Sequence, residues 1–159
     1  MASMERKEEG GDGQAAALRD ATLFQRQASL STARLRWRGE EDRRVPLFVV
    51  AEENVPAQRN QSAAVFINFT PHSDLLQGWA ESRVWYGPLV RHGRTCACCV
   101  NPFDIDQLLA KIFRDRATGQ CCFFTQVFLI CEKNVINEVC DMVVQSRVVS
   151  GMYGLKDSL

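Results

Sequence analysis

The first 95 residues of this chain contain no cysteine; all seven fall in the last 64. That asymmetry excludes a disulfide framework spread over the whole sequence. An odd count outside a secretory context favours free thiols or metal ligation. Net charge is missing as well, with 19 basic residues against 19 acidic ones. A general attraction to nucleic acid or to an anionic membrane surface is therefore not implied. No segment approaches the ~18 to 20 consecutive apolar residues that a membrane-spanning helix needs. Met1 to Gly13 is charged and lacks an apolar signal core, so secretion is not expected. The sequons at Asn60 and Asn68 are then read as accidental. No residue-level signature of an enzyme stands out, and no cysteine is followed six residues later by the arginine of a phosphatase-type loop.

At 159 residues with 46% hydrophobic content, the chain can bury a core. The reading is a flexible tail over 1–30 and a single α+β domain over 31–159, built on a small mixed sheet with two helices in its C-terminal half. Arg34-Leu35-Arg36-Trp37-Arg38 has the period of an edge strand with one wet face. Arginine and tryptophan there suit phosphate and base, but Glu40-Glu41-Asp42 opposes such a contact. Val45–Val50, Ala64–Phe69 and Arg83–Tyr86 read as strands, and Ser73 or Asp74 can cap a short helix through Trp79. Asn101-Pro102-Phe103-Asp104 is a helix start. Ile105, Leu108, Leu109 and Ile112 then form one apolar stripe, and Thr118-Gly119 closes a helix over 102–117. Residues 121–131 are apolar almost throughout, as in a strand buried on both faces. Asn134 caps a last helix that ends before Gly151, with a strand as the alternative because of its β-branched content.

His92-x3-Cys96-x-Cys98-Cys99 places four soft ligands within eight residues, which suits a zinc site. The helix is roughly 24 Å long at ~1.5 Å per residue, and a ten-residue strand running back covers about 33 Å. Cys131 is thereby returned toward Cys96, Cys98 and Cys99 and, for a single metal and with both elements as read, is a better fourth ligand than Cys121 or Cys122; without the helix the choice reverses. Two other readings stay open. The thiols can be buried small hydrophobes, or Cys96 or Cys98 can be a nucleophile with His92 as its base. His72, alone in a turn, reads as a solvated loop histidine.

The stretch Thr95-Cys96-Ala97-Cys98-Cys99-Val100-Asn101-Pro102-Phe103-Asp104-Ile105 resembles the adenovirus early-region-four 34K family, which carries a similar C-x-C-C-x-N run with Asp-Ile just after it. Cys121-Cys122 and Gln126-Val127 fall where that family has further cysteines and a Gln-Val pair. The similarity spans about residues 64 to 145. The chain is shorter than the family's members and lacks the histidines of their second cysteine cluster. The resemblance implies a viral early protein of the host cell's nucleus or cytoplasm. It implies an adaptor that recruits elongin B and C with a cullin to ubiquitylate host proteins. Val135 to Val144 is similar to the recruiting box, with Ile136 and Cys140 at i and i+4 and Val144 extending the same face. Ile136, Cys140 and Val144 are then the expected partner contacts, and His92, Cys96, Cys98, Cys99 and Cys131 the expected metal ligands. Two alternatives are a zinc-stabilised structural or regulatory protein without ligase contact and a thiol-dependent enzyme.

Overall fold

The computed structural model describes residues 34–57, 59–89 and 104–156; the expected tail lies outside them. The fold is α+β. Its strands are β1 (Val45–Ala51), β2 (Ser62–Ile67), β3 (Glu81–Trp85), β4 (Gln126–Cys131) and β5 (Tyr153–Leu155). Its helices are α1 (Ser73–Leu76), α2 (Ile105–Thr118), α3 (Ile136–Val144) and α4 (Arg147–Met152), with short 3-10 turns at Glu52–Asn54 and Lys133–Val135.

The strand order is β3-β2-β4-β1-β5, and every registered pair is parallel. The sheet expected as mixed is thus parallel in all these pairs. The reason lies in the connections. Even the shortest, Glu52 to Gln61, is ten residues long, which suits a crossover rather than a hairpin. The chain moves outward from β1 to β2 and β3, then back through β4 to β5. Crossovers between parallel strands are right-handed, so the two directions of travel put their connections on opposite faces. Leu75 of α1 packs on one face of the sheet; α2, α3 and α4 pack on the other.

Each face buries its own alternate residues. Val45, Leu47 and Val49 of β1, Val65 and Ile67 of β2, and Val127, Leu129 and Cys131 of β4 meet the inner sides of α2 and α3. Phe48, Val50, Phe66, Phe128 and Ile130 point the other way, with Phe69 and Trp79 packed against them. The Phe48 and Phe128 rings stack at 4.9 Å, and Trp79 lies 5.7 Å from Phe128. β4, flanked by β2 and β1, is buried at every position from Val127 to Cys131, as the apolar run predicts. The strand is shorter than expected: it begins at Gln126, because Cys122, Phe123 and Thr125 face solvent.

α2 starts at Ile105, with Asp104 in the N-cap position; residues 101–103 lie outside the described set. Its stripe behaves as the spacing predicts, with Ile105, Leu109 and Ile112 buried. Gly119 ends it in the left-handed region (φ 70°), where glycine carries no Cβ penalty. The last helix is two helices. Ser146 separates them: its backbone is extended and its Oγ accepts the Val149 N–H at 3.1 Å, capping α4. α4 then leads into β5, which the sequence reading did not contain. α1 is only one turn, with His72 rather than Ser73 or Asp74 at the N-cap position, and Trp79 lies beyond it.

One polar device ties the segment before β1 to the segment around β5. Arg36 bridges in parallel to Leu155, and the Trp37 N–H donates to the Leu155 carbonyl at 2.8 Å. The edge strand expected near Arg36 is therefore a single bridge onto β5. Beneath it, the Arg44 guanidinium donates to the Asp42 carboxylate (Nη2 to Oδ2, 2.6 Å). It also donates to the carbonyls of Arg34 at 2.7 Å, Arg36 at 2.6 Å, Ser150 at 3.1 Å and Tyr153 at 3.1 Å. One planar, multi-donor head satisfies carbonyls from both ends of the domain, a role that lysine could not fill.

Candidate functional site

The strands of a parallel sheet end together, and here β4 ends on Cys131 beside Ala51 of β1. The chain then makes the Lys133–Val135 turn and enters α3, which lies over β1. Two of the thiols singled out from the sequence, Cys131 and Cys140, therefore sit on consecutive elements.

Cys131 is fully buried within the core, and its Sγ is 3.8 Å from the Val50 carbonyl, to which the thiol donates. Burial pushes its pKa up to about 11, and the neighbouring charge of Cys140 adds to the shift. Cys140 is half-buried; burial, then Asp141, raises its thiol too. Both are protonated near neutral pH, which makes them poor nucleophiles and small hydrophobes. Cys121 is half-buried and Cys122 exposed at the end of α2; burial raises the Cys121 thiol, and the Glu81 and Asp115 carboxylates add to it.

The expected metal ligands divide. His92, Cys96, Cys98 and Cys99 lie outside the described residues, as does the Cys96 or Cys98 nucleophile of the enzyme alternative. Among the described residues no three potential metal ligands gather, so Cys131 has no such set around it. What the structure gives for Cys131 is a neutral thiol held by apolar packing; coordination would require its deprotonation. His72 is exposed, as expected of a loop histidine, and its Nδ1 lies 3.6 Å from Glu52 Oε1.

The three expected partner contacts all lie on α3. The helix sends Val139, Met142 and Val143 into the core. Ile136, Cys140 and Val144 lie on the flank at i, i+4 and i+8, each half-buried and packed on the margin of the same core. The stripe is neither wholly consumed nor wholly presented. Val135, the first position of the box-like run, belongs to the preceding 3-10 turn and not to the helix. Val139 and Val143 share this helix with Ile136 and Cys140. In the helix they separate into a buried row and a flanking row, because successive apolar residues span more than one face.

Other large apolar side chains reach solvent at Leu76, Val84, Tyr86 and Phe123. Phe123 packs under the Arg116 guanidinium at 4.4 Å, while the Arg116 Nε donates to the Phe124 carbonyl at 2.6 Å. Tyr86 reaches back to Thr70 through a hydroxyl–hydroxyl hydrogen bond. Asn68 takes a positive φ of 60° and exchanges two hydrogen bonds with Gly87, at 2.9 and 2.8 Å. These contacts knit the β2 and β3 ends into one turn cluster. Among the described residues no helix is long and apolar enough to cross a membrane. No protein-family model, no curated protein and no solved structure matches this chain.

Proposed function

We propose that this chain is a non-enzymatic protein–protein adaptor that acts on host proteins in the nucleus or cytoplasm of an infected cell. The observation that carries the reading is the flank of α3. Ile136, Cys140 and Val144 form an apolar row outside the buried Val139, Met142 and Val143. Inner packing holds the helix rigid, so a partner groove meets a preformed ridge and little ordering entropy opposes docking. The row's spacing matches the elongin-binding box implied by the 34K resemblance. Elongin B and C with a cullin are the partners this reading names, and ubiquitylation of a bound host protein is the outcome. Zinc enters as a structural ion held by four of His92, Cys96, Cys98, Cys99 and Cys131. It would rigidify the chain between β3 and α2, and the metal content of the purified protein tests it separately.

The adaptor test is co-purification with elongin B and C. Ile136→Ser and Cys140→Ser are each expected to reduce recovery at least about tenfold while urea unfolding remains cooperative. Equal recovery by all three proteins, or none by any, rejects the reading. Because both side chains also touch the core, Glu138→Ala on the exposed side of α3 serves as the reference for helix integrity.

A further inference from the structure

β5 brings together two stretches that are far apart in sequence. Residues 34–44 and 147–156 meet through the Arg36–Leu155 bridge and the Arg44 hydrogen bonds. They hold seven cations, Arg34, Arg36, Arg38, Arg43, Arg44, Arg147 and Lys156, against three carboxylates, Glu40, Glu41 and Asp42. A local charge of +4 thus sits on a chain whose formal net charge is zero. It lies where β1 begins, at the opposite end of the sheet from Glu52, Glu53 and Lys133.

In sequence, the acidic run Glu40–Asp42 opposes a nucleic-acid contact by the arginines. The structure takes Asp42 out of that balance. Its side chain is 4% exposed and is engaged by Arg44 and by the Arg38 N–H at 3.0 Å. The Asp42–Arg44 pair cancels internally and leaves Glu40 and Glu41 facing the remaining cations. Leu35 is fully buried and Trp37 half-buried, whereas Arg34, Arg38 and Arg43 are exposed. Three guanidinium heads therefore project into water from an anchored backbone. In the same segment, the half-buried Trp37 ring is covered by the Lys156 side chain, whose Nζ stands 5.2 Å from the ring centroid.

We propose that this pole docks single-stranded nucleic acid, with Arg34, Arg38 and Arg43 on phosphates and Trp37 offered to a base when Lys156 swings onto the backbone. Clustered arginines with an interleaved indole combine the two interactions such strands use, phosphate neutralisation and stacking. An acidic peptide would satisfy the guanidinium groups but bring nothing for the indole. The proposal is independent of the adaptor reading.

The test is fluorescence anisotropy of a labelled oligouridylate with the full chain across a salt series. Four phosphate contacts, from the three arginines and Lys156, predict a log–log salt slope of about −3, at ~0.7 per phosphate for a single strand. Replacing Arg34, Arg38 and Arg43 together by glutamine should lower affinity at least about tenfold at ~50 mM salt and flatten the slope. The corresponding triple lysine variant should keep the slope, and Lys133→Gln, at the far end of the sheet, should change nothing. Salt-independent binding, no binding, or equal binding by the glutamine and native chains overturns the proposal. So does displacement of the oligonucleotide by polyglutamate of the same total charge, which would assign the pole to an acidic protein. If the glutamine variant unfolds, the lysine variant and Arg43→Gln alone carry the comparison: an unchanged slope with lysine and a reduced one with Arg43→Gln support the proposal, and any other pattern overturns it.

Discussion

Replacing Arg44 by methionine should be among the most damaging single changes in the described domain. The guanidinium is 14% exposed and the Asp42 side chain 4%, so this is a largely desolvated pair rather than a surface one. Methionine keeps the aliphatic stem but removes every donor. Asp42 is left as an uncompensated carboxylate, and four carbonyls at 2.6 to 3.1 Å lose their partner. Breaking a buried pair from one side costs about 3 to 5 kcal/mol. The slight exposure places the expected loss near the lower end, ~3 kcal/mol. With a urea m-value of about 2 kcal/mol/M, the midpoint should fall by roughly 1.5 M at unchanged m. Asp42→Asn should cost less, since an amide oxygen in the place of Oδ1 still accepts from the Arg44 N–H and Nε, and only the donors to Oδ2, the Arg38 N–H among them, lose their acceptor. The same pair makes a pH prediction. Hydrogen bonds from Arg44 hold the Asp42 carboxyl well below the usual carboxylate range. A depressed folded-state pKa stabilises above the unfolded value of about 3.9 and is lost as pH falls below it. Acid destabilisation should therefore be shallower in Asp42→Asn than in the native chain. Urea titrations at neutral and acidic pH, followed by tryptophan fluorescence, measure both. A loss under ~1 kcal/mol for Arg44→Met, or one no larger than that of Asp42→Asn, would refute the reasoning.

Four further outcomes are expected. Gly154→Ala would place a Cβ 2.7 Å from the Trp37 ring and 3.2 Å from both Arg44 and Asp42; overpacking of this kind costs about 1 to 3 kcal/mol, read as a lower urea midpoint. Phe128→Ala should cost about 3 to 5 kcal/mol, because it empties the stack with Phe48 and the Trp79 contact; chemical denaturation checks it, and a loss below that of Tyr153→Phe would contradict the packing. Tyr153→Phe removes only the buried Oη donor to the Leu109 carbonyl at 2.8 Å, worth roughly 1 kcal/mol. In peptide-mapped thiol labelling of the native protein, exposed Cys122 should react before Cys140, and buried Cys131 only after unfolding; early labelling of Cys131 would contradict its place in the core.

The sequence was most legible where one local signal decided the outcome. Ile105, Leu109 and Ile112 share a stripe, and Gly119 stops the helix as its backbone freedom allows. The β4 run is apolar because both faces are covered. Illegible features were those set by partners far along the chain. Nothing within Tyr153–Leu155 marks a strand; it becomes one because β1 offers an edge at Val45–Leu47. The break between α3 and α4 depends on Ser146 choosing a cap over the helix interior, a choice that β-branched neighbours conceal. The candidate site was half legible: the resemblance to a recruiting box pointed to the α3 row, but periodicity could not tell a flank from a buried face. Nothing local marks the Asp42–Arg44 pair, since Arg44's carbonyl acceptors at Ser150 and Tyr153 lie more than a hundred residues away.

The parallel order carries a consequence for how the molecule comes to be made. β1 pairs with β4 across about eighty positions, Leu47 with Val127, and with β5 across more than a hundred, Val45 with Tyr153. During synthesis the Val45–Ala51 segment emerges before either neighbour, and about eighty further residues must follow before β4 can pair with it. Until then a strongly apolar strand waits with both edges open, a state that invites association with other nascent chains.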